Sequence, residues 1–155
     1  MKVETTRFGV LEVDEQSTLQ MPSGPLGFEE QTQFCLIQHR PDTNFRWLQS
    51  MGDPNLAFVV VDPAEFFEGY EIEIADTAAE QLALREEQDA LVLVILTIGE
   101  GAESVTANLA APIVVNSKTL VGMQVVLQDE RYSVRCPIPI SEPAHSREDT
   151  TTKAA

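Results

Sequence analysis

Through the first half of the chain apolar residues recur close to every second position, the period of a strand with one face buried. Phe8, Val10, Leu11 and Val13, then Leu19 and Met21, predict a hairpin of half-buried strands broken at Asp14-Glu15-Gln16-Ser17. Met21-Pro22-Ser23-Gly24-Pro25-Leu26-Gly27-Phe28 combines prolines, which fix φ, with glycines, which open positive φ, and so predicts an ordered turn. Strands are expected over residues 33–38, 45–51 and 56–61, with turn-forming residues at 40–44 and 52–55 between them. Leu56-Ala57-Phe58-Val59-Val60-Val61 is apolar at both parities, which predicts a central strand covered on each face.

Asp62-Pro63 ends that run, and Tyr70-Glu71-Ile72-Glu73-Ile74 alternates again with the isoleucines inward. Helical spacing appears over residues 77–87, where Thr77 and Glu80 have the separation of a capping box and Ala75, Ala78, Ala79 and Leu82 share a face. Further strands are expected over residues 91–98, 105–115 and 121–127, with turns at 99–101 and 116–118, and a last short one carries Tyr132 and Val134 after the Asp129-Glu130-Arg131 turn. These elements predict a mostly β chain: an antiparallel barrel-like fold of about nine or ten short strands with one short surface helix. Residues 1–140 form a single barrel-like domain in this reading, and residues 141–155 a polar, disordered tail. Closure of the barrel would hide the strand edges that so many apolar segments otherwise leave open.

Charge narrows the function classes. Ten basic against twenty-five acidic side chains give a net charge of −15, which repels phosphate backbones and argues against direct nucleic-acid binding. The same field favours a basic protein partner, mainly by speeding encounter, although it also serves plain solubility. No apolar run approaches the ~20 residues that cross a bilayer, so a soluble, cytoplasmic protein with no membrane association is expected.

Catalytic chemistry finds little to stand on. Sequences of the GxSxG, GxxxxGK[ST] and HExxH types are absent. Cys35 and Cys136 belong to no CxxC or Cys/His cluster and read as reduced, packed thiols. His39 and His145 have no partner at metal-ligand spacing, and His39 beside Arg40 reads as solvated. Gly99-Glu100-Gly101 lacks the third glycine of a dinucleotide loop and reads as a hairpin turn. Glu71 and Glu73 share one side of a strand, where paired carboxylates could in principle bind a cation or share a proton, yet an ordinary wet strand face explains them more cheaply. No catalytic, metal or cofactor residue is assigned. Among the aromatics, Phe28, Phe45, Trp47, Phe66, Phe67 and Tyr70 cluster along the chain; most should fill the core, and a minority could anchor an interface. Adjacent Phe66 and Phe67 point to opposite faces of an extended segment, so one must look outward unless the loop folds over.

Several blocks together resemble one family. They are Pro22-Ser23-Gly24-Pro25-Leu26-Gly27-Phe28-Glu29, Phe45-Arg46-Trp47-Leu48-Gln49-Ser50, Leu56-Ala57-Phe58-Val59-Val60 with Asp62-Pro63, Tyr70-Glu71-Ile72, Asn108-Leu109-Ala110-Ala111-Pro112-Ile113-Val114-Val115-Asn116 and Gly122-Met123-Gln124-Val125-Val126. In this order they are similar to the bacterial flagellar assembly factor FliW family. The resemblance implies a non-catalytic, all-β cytoplasmic protein that switches between flagellin and the RNA-binding translational repressor CsrA, antagonising CsrA and matching flagellin synthesis to export. A monomer is expected, with Trp47, Phe66 and Tyr70 as the candidate partner-binding anchors. Gly69 before Tyr70, and the long tail, depart from the family pattern. Two other classes stay open: a general chaperone-like binder of exported chains, and an enzyme or small-ligand-binding β-barrel using Asp62, Glu71 and Glu73 as its polar groups.

Overall fold

A computed structural model describes residues 1–38, 45–98 and 105–138; the expectations for His39, the 40–44 and 99–101 turns, and the 141–155 tail with His145 lie outside the described residues. The fold is mostly β, as the alternation predicts. Strands β1 (Lys2–Thr5) and β2 (Gly9–Glu12) form a two-stranded sheet, and the rest form a nine-stranded sheet. These are β3 (Leu19–Gln20), β4 (Gln33–Ile37), β5 (Arg46–Ser50), β6 (Ala57–Val61), β7 (Ala90–Ile98), β8 (Val105–Ala107), β9 (Ile113–Asn116), β10 (Gly122–Gln124) and β11 (Cys136–Pro137). The main path runs β10-β9-β7-β6-β5-β4-β3 and every pairing along it is antiparallel.

The sheet forks at β7. One edge of this strand pairs with β6 from Val94 to Leu96. The other edge pairs with β9 along Ala90 to Leu93 and then with β8 along Leu96 to Ile98, and β11 extends β8. The two ends of the path curl toward each other, and a single parallel bridge, Gln20 to Val121, joins them through a 2.8 Å bond from the Gln20 N–H to the Leu120 carbonyl. The expected barrel closure is therefore not made by a ladder. Strand β3 is too short for one, pinned between the 3₁₀ turn Glu15–Ser17 and Pro22.

Alternation sorts the strands' side chains into layers. Leu19, Phe34, Leu48, Val60, Leu93, Ile113 and Val115 point inside the curl with Met21. Trp47, Val59, Val61, Val94, Leu96, Val105 and Ala107 point outward into a second core, which Phe8, Phe66, Phe67, Tyr70 and Tyr132 cover. The both-faced strand predicted at residues 56–61 is thus central: Val60 serves one core, Val59 and Val61 the other. A third cluster packs helix α1 (Asp76–Gln81) through Ala78, with Leu82, onto Val114 and Val125.

Several local expectations are corrected. The hairpin predicted between residues 8–13 and 19–21 does not form: β2 pairs with β1, Val10 is 63% exposed, and Leu19 sits opposite Phe34. Residues 70–74 alternate in exposure but join no ladder. The single strand expected over residues 105–115 is two, because the Asn108 side chain accepts a 3.0 Å bond from the Ala111 N–H and turns the chain from β8 toward β9. The helix stops at Gln81 where residues up to 87 were expected, Ala83 following with φ +53°, and its first turn has no side-chain cap, so Thr77 and Glu80 form no capping box. The last strand lies at Cys136–Pro137 instead of at Tyr132 and Val134.

Candidate functional site

Trp47, Phe66 and Tyr70 do come together, in the core on the outer face of the sheet. Trp47 on β5 is 6% exposed, with the Phe8 ring edge-on at 5.7 Å and the Arg7 guanidinium 4.5 Å above its ring, so it has little free face to present. The 3₁₀ turn Pro63–Glu65, begun by the Asp62 carboxylate accepting a 2.9 Å bond from the Ala64 N–H, folds the following loop back over the sheet. Phe66 and Phe67 are consequently both half-buried, and Phe66 stacks on Phe45 at 6.1 Å.

Tyr70 begins a different feature. Its hydroxyl donates to the Leu109 carbonyl at 2.7 Å, and its ring meets Tyr132 edge-on at 4.7 Å. Tyr132 in turn accepts a 3.0 Å bond from the Glu71 N–H, while Arg131 lies over the Tyr132 ring at 5.1 Å and pairs with Asp129 at 2.7 Å. Burial, reinforced by Tyr132 and Cys136, pushes the Tyr70 phenol above the ordinary tyrosine range, so the group stays a neutral donor at physiological pH. The hydrogen bond from Arg131 holds the Asp129 carboxyl below its usual value. These contacts fasten the start of residues 70–74 to the body of the fold.

Beyond that fastening an open groove of about 800 Å³ separates residues 71–74 from the first half of β7. Ile72, Ile74, Leu84 and Val92 supply its apolar lining, and Glu71, Glu73, Glu86 and Glu87 its charge, against Arg85 as the one cation among the described residues that line it. Asn116 fixes the far wall. Its side-chain amide donates to the Leu82 carbonyl at 2.8 Å and the Ala83 carbonyl at 3.3 Å, and its oxygen accepts from the Lys118 and Thr119 N–H groups.

Glu71 and Glu73 thus sit together at this groove, but Asp62 caps its own turn and does not line it. Among the described residues no three His, Cys, Asp or Glu side chains are placed to hold a metal ion, and no helix is long and apolar enough to cross a membrane. Sequence reasoning missed the groove as a unit. Leu84, Glu86, Glu87 and Val92 carry no local signal of it, because the space arises from a neighbouring strand that is not there.

The Pro/Gly turn is ordered as predicted, the Gly24, Phe28 and Gln31 N–H groups donating to the Met21, Pro25 and Phe28 carbonyls. The Leu26 N–H donates at 2.8 Å to the Gln124 side chain, whose amide donates at 2.9 Å to the Ala111 carbonyl. Gly24 has φ +69°, and a Cβ there would lie 2.5 Å from the Glu29 Cα. Phe28 remains 42% exposed, edge-on to Phe58.

Residues 2–138 match the family model described as FliW protein. A flagellar assembly factor FliW from Moorella thermoacetica is 38% identical over 136 residues, covering 87% of this chain and 86% of the relative. That of Bacillus subtilis is 41% identical over 138 residues, covering 89% and 96%. A crystal structure of the flagellar assembly factor FliW superposes with a TM-score of 0.82 at 39% identity, over 88% of this chain and 96% of that one.

Proposed function

The chain belongs to the FliW family of flagellar assembly factors, and on that premise we propose that it acts in the cytoplasm, without catalysis, by exchanging two protein partners. It binds flagellin, and when flagellin is scarce it antagonises the RNA-binding translational repressor CsrA, so that flagellin synthesis follows export. Family membership over residues 2–138, joined to a net charge of −15, carries this reading.

The charge supplies a mechanism. A carboxylate about 10 Å from an RNA phosphate raises its energy by roughly 0.4 kcal/mol in water before screening. Several such pairs amount to on the order of 1–3 kcal/mol, enough to weaken RNA binding to CsrA about ten- to a hundredfold without occupying the RNA site. The antagonism is then partly electrostatic and non-competitive. Titrating RNA against CsrA with and without this protein at rising salt tests it. Inhibition that shrinks as salt rises supports the electrostatic part, and inhibition unchanged across the range removes it.

A further inference from the structure

The groove between residues 71–74 and β7 takes Ala90 and Val92 of that strand into its lining. Ser117 donates to the Asp89 carbonyl and Asn108 to the Ile95 carbonyl, so the odd-numbered residues of this stretch turn their backbone groups toward β9 and β8. In an antiparallel strand the even-numbered residues must then face the opposite edge. There β6 reaches only as far as Val94. Among the described residues Val92 makes no backbone bond on that edge and the Ala90 C=O none either; the Ala90 N–H is taken by the Glu87 carbonyl. Across the gap, residues 72–74 make no backbone ladder either. Open backbone groups on a strand edge, above an apolar floor, are what an added strand pairs with.

We propose that this groove is a strand-addition site for an extended segment of a protein partner in which basic and apolar side chains alternate. Its apolar residues fill the space over Ile72, Ile74, Leu84 and Val92, and its lysines or arginines meet Glu71, Glu73, Glu86 and Glu87 on the rim. Among the described residues of the rim, the excess of carboxylates over the Arg85 guanidinium sets that sign. The inference does not rest on the two partners proposed above. Its probe is synthetic, so either reading fails without the other.

Amide exchange on the full chain by NMR tests it in two steps. In the free protein the Val92 amide exchanges much faster than those of Leu91 and Leu93, which face β9. Adding a short alternating lysine–valine peptide slows the Val92 amide, while the same peptide with proline at alternate positions, lacking the donors, does not. Glu73→Lys combined with Glu87→Lys, both exposed side chains, weakens the peptide on the order of tenfold. A Val92 amide already protected in the free protein overturns the proposal. So does saturating peptide that leaves it unprotected, or a glutamate–valine peptide or the double variant binding as well as the matched pair.

Discussion

Replacing Asn116 by alanine should loosen the wall of the groove and much of the fold with it. The side chain is 4% exposed and serves four backbone groups: the carbonyls of Leu82 and Ala83, and the N–H groups of Lys118 and Thr119. Leaving the buried Leu82 carbonyl unsatisfied costs about 1–2 kcal/mol, and each of the three part-buried bonds, which water replaces, about 0.5 kcal/mol. The expected loss is about 3 kcal/mol, or a fall in melting temperature of roughly 10 °C for a domain of this size. Urea titration followed by circular dichroism reads it directly. Asn116→Asp sharpens the test. It keeps an acceptor for the turn but faces two carbonyls with a buried carboxylate, whose folded-state pKa is thereby raised. The neutral acid is the form that fits, so stability is present below the ordinary carboxylate range, near pH ~4, and is lost as pH rises. At neutral pH this variant should be less stable than the alanine one and recover on acidification. A loss below about 1 kcal/mol for Asn116→Ala, or an aspartate variant no worse than alanine at neutral pH, would refute the reasoning.

Gly24→Ala meets both a positive φ and the Glu29 backbone, so it should cost at least about 2 kcal/mol in the same urea titration. Tyr70→Phe removes the donor to Leu109 and should cost about 1 kcal/mol. Because burial raises the Tyr70 phenol, its stabilising share is intact below the unfolded tyrosine value, near pH ~10, and fades above it; phenolate absorbance should show Tyr70 ionising only with alkaline unfolding. Cys35 is buried, and burial pushes its thiol up, so a thiol reagent at neutral pH should label Cys136 first; equal rates would mean β4 opens readily.

How much of this was legible in the sequence varies with the range of the interaction. The two-faced run ending at Val61 announced a central strand because burial on both sides leaves its mark on every residue. Alternation in residues 8–13 and 19–21 was equally plain, but it names a buried face and not a partner, and Leu19 pairs with Phe34 from a later strand. Residues 70–74 look like a strand for the same reason: Ile72 and Ile74 are inward-facing, yet the neighbouring ladder is missing. Residues 105–115 hid their break because only the Asn108 side-chain bond to Ala111 reveals the turn. The aromatic types of Trp47, Phe66 and Tyr70 suit an interface anchor, but how far each is covered depends on Arg7, Phe8 and a folded 3₁₀ turn, which no local pattern announces. The groove was out of reach, since no residue encodes an absent strand.

Isothermal titration calorimetry with purified flagellin and purified CsrA bears most directly on the claim that this acidic β domain works by contact alone. Heat is expected with each partner, and saturation with flagellin should abolish the heat with CsrA. Silence toward both macromolecules in a folded sample would contradict it.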